Sequence, residues 1–172
     1  KRIIRYPLAT LIIVHLVTLY IWYTVAGQWS VRYTLPIQLC DISVFLCVIN
    51  LLSAKKRTLL LEVLYFWGLG GASQALLTPS MGDYSFPHFI YYQFFFSHGL
   101  TIITCLYFTL IEGFRVNLSS VKRVFIITNV YAACIIIVNF ITGGNYLFLM
   151  SKPFGGSLLD FLGPWPWYIL SL

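Results

Sequence analysis

The stretch that decides the fold is NLLSAKKRTLLLEVLYF, residues 50–66. Lys55, Lys56 and Arg57 interrupt sequence that is otherwise almost wholly apolar. The apolar runs on either side, 36–54 and 58–78, each reach the roughly 20 residues that a helix needs to cross a hydrocarbon core. Two such runs joined by a short basic junction read as a helical hairpin with its turn in water. The same unit recurs along the chain. Runs 6–26, 88–113 and 121–142 are also long and apolar, and another begins at 165 and continues to 172. The expected fold is therefore all-α: one polytopic transmembrane bundle over residues 1–172, with five complete helices and the start of a sixth. The chain begins at Lys1 without an initiator Met and stops inside an apolar run, so it reads as an excerpt of a longer protein.

Composition supports the membrane reading. Hydrophobic residues make up 59% of the 172 positions and charged residues only 9%, against about 25% charged in soluble domains. Strand-like alternation is absent, which excludes a β-barrel. The net charge of +6 does not point to nucleic acid, because the cations sit in junctions rather than in a patch with interleaved aromatics. Cys40, Cys47, Cys105 and Cys134 all lie in apolar runs and do not form a disulfide framework. The first apolar run is too long for a signal peptide.

The cations also orient the chain. Lys1, Arg2 and Arg5 precede the first helix, Lys55 to Arg57 follow the second, and Arg115, Lys122 and Arg123 follow the fourth. The intervening loops hold Arg32, none, and Lys152. By the positive-inside rule the triplets are cytoplasmic, and loops 27–35, 79–87 and 143–164 face outward from a cell membrane. The outer loops are rich in turn formers, as in TPSMGDYSFPH (78–88), and GPWPW (163–167) forces a helix break. SLLDFL (157–162) then lies on or re-enters the outer face. The NLS triplet at 117–119 matches a glycosylation pattern but falls on the inner side.

Counting up from the inner cations at about 1.5 Å per residue places Cys40 near 22 Å, Asn139 near 24 Å, and Gln74 and His98 near 26 Å. Asp41 lies beside Cys40. Intramembrane polar groups normally face a bundle interior or a wet cavity. Gln74 and Asn139 suit interhelical hydrogen bonds, and His15, lower on the first helix, suits a structural donor. Glu62 and Glu112 near the inner ends suit solvated or paired carboxylates, and GLGGAS (68–73) supplies small residues for close packing. Cys47 and Cys105 read as apolar filler. Cys40 and His98 carry chemistry: a thiol becomes a nucleophile once an imidazole takes its proton. Asp41 could orient that imidazole, or point aside toward Lys152. Buried cysteines are more often inert. No C-x-x-C or H-x-x-x-H spacing points to a metal, and no cofactor is expected.

LPIQLCD (35–41), YFWGLGGASQALLTP (65–79), FPH (86–88), QFFFSHG (93–99), NYLFLMSKP (145–153) and LLDFLGPWPWYIL (158–170) resemble the YwaF-type family of bacterial integral membrane proteins. That resemblance implies seven helices, so a missing first helix and a truncated last one here. The family is similar to a eukaryotic transmembrane family that includes an ether-phospholipid acyltransferase with a functional Cys and His. Those residues match Cys40 and His98 here. A more distant similarity runs to androgen-induced fatty-acid-ester hydrolases, which pair a Thr with a His. Gln38 departs from the family pattern, where His is common.

These readings converge on a lipid acyltransferase or lipid ester hydrolase. Cys40 would be the nucleophile and His98 the base, with Asp41, Gln74 and Asn139 in support. Lys152, Tyr146 and His88 in the outer loops would meet a lipid headgroup. The expected partners are membrane lipids, either phospholipid or a fatty-acyl substrate. A transporter or binding protein with an outward-facing polar site, and a non-catalytic scaffold, are the alternatives.

Overall fold

The computed structural model of the chain describes residues 2–55, 57–153 and 157–171; of the junction cations, Lys1 and Lys56 lie outside them. Five helices make up the bundle: α1 (Arg2–Val25), α2 (Leu39–Leu52), α3 (Thr58–Leu77), α4 (Phe89–Ile111) and α5 (Leu118–Thr142). All except α2 are long and apolar enough to span a membrane. The last segment differs from expectation. Leu158–Leu162 and Trp167–Ser171 form short 3-10 turns, and no sixth spanning helix is present among the described residues.

Local chemistry sets the helix ends. Gln38 is extended, at φ −67° and ψ 155°, and Asp41 Oδ2 accepts its N–H at 3.1 Å. This cap fixes the start of α2 at Leu39, three residues later than the apolar run suggests. The helix is then about 21 Å long, short of a core of about 30 Å, so its upper end is recessed. Asn117 begins α5 with a reciprocal cap: its Oδ1 accepts from Ser120 N at 2.9 Å, and Ser120 Oγ accepts from Asn117 N at 3.1 Å. The NLS triplet is thus a helix start. Gly143, at φ 66°, ends the helix in the left-handed conformation that glycine adopts without strain.

Helices α2 and α4 form the centre. Each packs on α1 and α3, and on the other, while α5 leans on α3. The core between them is Ile12, Val44, Cys47, Leu51, Leu64, Leu100, Cys105 and Phe108. Cys47 and Cys105 are buried, as filler should be. Residues Tyr65–Gly71 of α3 widen into a π-helical turn. Within that turn Trp67 Nε1 donates to Thr128 Oγ1 of α5 at 2.8 Å. Of the glycines in GLGGAS, Gly68 alone meets a neighbouring helix, with Cys105 and Thr101 of α4 against it; Gly70 and Gly71 face open space. Facing outward are Phe125, Ile126, Val130, Ile137 and Phe140 of α5, a surface that only lipid solvates cheaply.

The basic junctions meet at one end of the bundle. Arg5 donates to Ser53 O and Asn50 O, and lies 3.9 Å from Glu112. Arg123 grips Glu62 with two bonds, of 2.9 and 2.5 Å, and Ser120 Oγ adds a third at 2.8 Å. Both inner carboxylates are therefore paired. Glu62 is 2% exposed, so losing its fork leaves a buried charge with one hydroxyl donor. Arg123→Ala is expected to lower the thermal unfolding midpoint in detergent. Arg123→Lys should recover only part of the loss, because an ammonium cannot make the planar two-bond contact.

Candidate functional site

At the end opposite the basic junctions, the recessed start of α2 forms a floor beside α1, which runs on to Val25. Cys40 is the second residue of α2. It is a half-buried free thiol whose sulfur lies beside the backbone N–H groups of Asp41 and of Cys40 itself. Successive helix residues point about 100° apart. Cys40 shares its stripe with Val44, Cys47 and Leu51, all buried, so it faces the core and α4. Asp41 shares its stripe with Phe45, which lines a groove of about 690 Å³ with Ile13, Val17 and Tyr20 of α1. The two groups still share neighbours: Tyr23 of α1 and Tyr131 of α5 lie within electrostatic reach of both.

His98 is buried on α4. Its Nδ1 lies 2.7 Å from Phe94 O, and the Phe94 ring packs 4.3 Å from the imidazole. A carbonyl only accepts, so Nδ1 carries the proton and Nε2 keeps its lone pair. Nε2 has no hydrogen bond within the described residues. Counted along the observed helices, Cys40 stands about 18 Å above Leu52 and His98 about 20 Å above Ile111. The two residues lie on helices that pack against each other. No hydrogen bond joins the two side chains.

The acid expected to orient His98 does not. Asp41 is committed to the α2 cap, and Asp160 accepts from Ser157 N at 2.7 Å and pairs with Lys152 at 3.6 Å. A backbone carbonyl takes that role. Asp41 instead lies within electrostatic reach of the hydroxyls of Tyr20, Tyr23, Tyr131 and Tyr146, and has no ion pair among the described residues.

The expected polar layer is otherwise redrawn. Gln74 is exposed on α3. Asn139 lies higher than counted and faces residues 143–150, donating to Tyr146 O at 3.0 Å and accepting from Tyr146 N at 2.7 Å. His15, expected lower, is level with His98. Gln93 Nε2 donates to His15 O at 2.8 Å, the His15 ring packs 5.4 Å from Phe96, and the two imidazoles feel each other electrostatically. Sequence reasoning missed Gln93, Tyr20, Tyr23 and Tyr131. One signal was available: His15 and Tyr23 are eight residues apart, on one face of α1.

The three expected headgroup contacts are spent within the protein. Tyr146 is 1% exposed. Its hydroxyl donates to Val31 O at 2.8 Å and accepts from Leu35 N at 3.1 Å, and burial holds the phenol above its ordinary titration range. His88 caps α4 by accepting from Ile90 N at 3.1 Å, and stacks on Tyr84 at 4.5 Å. Lys152 lies over the Tyr168 ring at 5.5 Å in addition to pairing with Asp160.

Residues 145–149 form a strap seated on the segment that leads into α2. Gln38 Oε1 accepts from Leu147 N at 2.8 Å, Trp165 Nε1 donates to Leu149 O at 3.1 Å, and Tyr168 donates to Phe148 O. Leu147 and Phe148 both hold positive φ, 58° and 54°. That conformation costs a residue with a side chain about 1–2 kcal/mol.

No three His, Cys, Asp or Glu side chains among the described residues are grouped to hold a metal. Five apolar helices with their cations gathered at one end and a thiol, two imidazoles and a carboxylate within the other half define a multi-pass helical membrane protein. The whole chain, residues 1–172, matches the model of the TMEM164 family, and the chain belongs to that family of transmembrane proteins. No curated protein and no solved structure matches it.

Proposed function

We propose that the protein transfers acyl groups on membrane lipids, with Cys40 as nucleophile and His98 as base. The observation that carries this reading is the state of His98. Its Nδ1 is held by Phe94 O, so Nε2 is left as an acceptor on a helix that packs against the helix of Cys40. The motif resemblance to the YwaF-type family, and through it to a Cys/His ether-phospholipid acyltransferase family, points the same way. The motifs and the location suggest a lipid ester as the substrate, and the positive-inside pattern suggests that it is drawn from the outer leaflet of a cell membrane.

In the proposed reaction, Nε2 takes the thiol proton as Sγ attacks the ester carbonyl. The N–H groups of the first turn of α2 offer donors for the developing oxyanion. Collapse breaks the ester C–O bond, leaves a thioester on Cys40 and releases the lysolipid alcohol, which takes the proton from His98. An acceptor hydroxyl then gives its proton to Nε2, attacks the thioester and regenerates the thiol. Water as acceptor makes the protein a hydrolase. Hydrogen bonds between a nucleophile and its base are often long in the absence of substrate, in keeping with the unbonded Cys40 and His98.

Intact-protein mass spectrometry after incubation with fatty-acyl phospholipid tests the reading. The expected result is a fatty-acyl adduct that hydroxylamine removes, present in wild type, absent in Cys40→Ser and formed at least a hundredfold more slowly in His98→Ala. A Cys40→Ser protein that retains lipid-remodelling activity would overturn it.

A further inference from the structure

We propose that the 145–149 strap is an access gate to Cys40, and that Gln38 is its latch, a positioning residue that sets how far the thiol can be reached. The inference concerns access alone and does not depend on acyl transfer being the chemistry.

The strap has two turn bonds of its own, from Phe148 N–H to Asn145 O at 3.2 Å and from Leu149 N–H to Tyr146 O at 3.4 Å. It is strained all the same: Leu147 and Phe148 are both left-handed, without glycine to relieve either position. They are held there from two sides. On the α2 side, Gln38 Oε1 takes the Leu147 N–H, and Leu147 packs on the same Ile135, Tyr146 and Leu149 cluster as Leu35 and Ile37. On the far side, Tyr168 and Trp165 of the GPWPWY motif take the carbonyls of Phe148 and Leu149. This clamp gives that motif a physical role.

Gln38 couples the strap to the site. Its side chain holds Leu147, its backbone N–H holds Asp41, and Cys40 lies between the two anchored residues. Breaking the latch frees a strained segment and so favours opening. The hinge is in place on the other side, because Asn139 pins both the N–H and the C=O of Tyr146. The segment beyond Tyr146 can therefore swing while Tyr146 stays seated.

The test measures the alkylation rate of each cysteine by a water-soluble maleimide, read peptide by peptide in the full chain in lipid nanodiscs. A thiol introduced by Ser85→Cys, in the exposed 79–87 loop, is the internal reference in every variant. Gln38→Leu and Tyr168→Phe, which release the strap from opposite sides, should each raise the Cys40 rate at least fivefold relative to that reference. Gln38→Glu keeps the acceptor and should stay within twofold of wild type. Thr128→Val removes a comparable bond, the one its hydroxyl accepts from Trp67 Nε1 at 2.8 Å, away from the strap, and should also stay within twofold. The proposal is overturned if the two strap variants leave the Cys40 rate unchanged. It is equally overturned if Thr128→Val raises the rate as much as they do, because the effect would then be general loosening.

Discussion

Asn139→Leu is expected to destabilise the protein by about 2–5 kcal/mol and to free the segment around Tyr146. Asn139 is 1% exposed, and its amide satisfies the N–H and the C=O of one residue, Tyr146. Leucine has the same branching but neither donates nor accepts, so two buried backbone groups lose their partners at roughly 1–3 kcal/mol each. Asn139→Asp keeps the acceptor and loses the donor, so its cost should fall between wild type and leucine. The thermal midpoint in detergent measures the energy, and limited chymotrypsin cleavage after Phe148 reports the segment. An unchanged rate of cleavage after Phe148 in Asn139→Leu would remove Asn139 as its anchor.

Gly68→Val should be costly, at about 1–3 kcal/mol, while the same change at Gly70 or Gly71 should be nearly silent. A Cβ on Gly68 would lie 2.9 Å from Leu64 Cδ1, 3.0 Å from Cys105 Sγ and 3.0 Å from Thr101 Cγ2. Valine adds two further carbons, so α4 must move away from α3. Gly70 and Gly71 have nothing within 4 Å, and their substitutions point into lipid. Thermal midpoints of the three variants in one detergent decide the matter. Equal losses at all three positions would mean that the backbone conformation of the π-helical turn, rather than contact with α4, requires glycine.

Much of the bundle was legible because its causes are local. A run of about twenty apolar residues is a spanning helix wherever it occurs, so α1, α3, α4 and α5 were placed to within a few residues. Helix α2 was overestimated by five residues, because hydropathy is blind to the Asp41 cap. The last segment was misjudged for a similar reason: its apolar composition suits a spanning helix, while the prolines of GPWPW leave it in short 3-10 turns.

The candidate site was legible only in part. Depth counting put Cys40 and His98 in the half of the bundle away from the basic junctions, because rise per residue is fixed. It misplaced His15 and Asn139, because the counts started from cations whose distance to each helix start differs. It included Gln74 because depth does not tell which way a side chain points. The partner of Asp41 was sought on other helices. The bond that orders the carboxylate runs to the backbone three residues earlier.

The sequence by itself determined that the chain is a polytopic helical membrane protein with its cations segregated to alternate junctions. Both follow from the transfer of apolar and charged groups between water and hydrocarbon, which is a property of each residue type and its neighbours in the chain. The tertiary structure alone decided which polar groups meet. It surrounded Asp41 with tyrosines from other segments, gave His98 a carbonyl instead of an acid, and folded 145–149 onto Gln38. Those pairings join residues as far as 109 positions apart, as at Gln38 and Leu147. They depend on helix rotation and tilt, which packing fixes and apolar run lengths leave free.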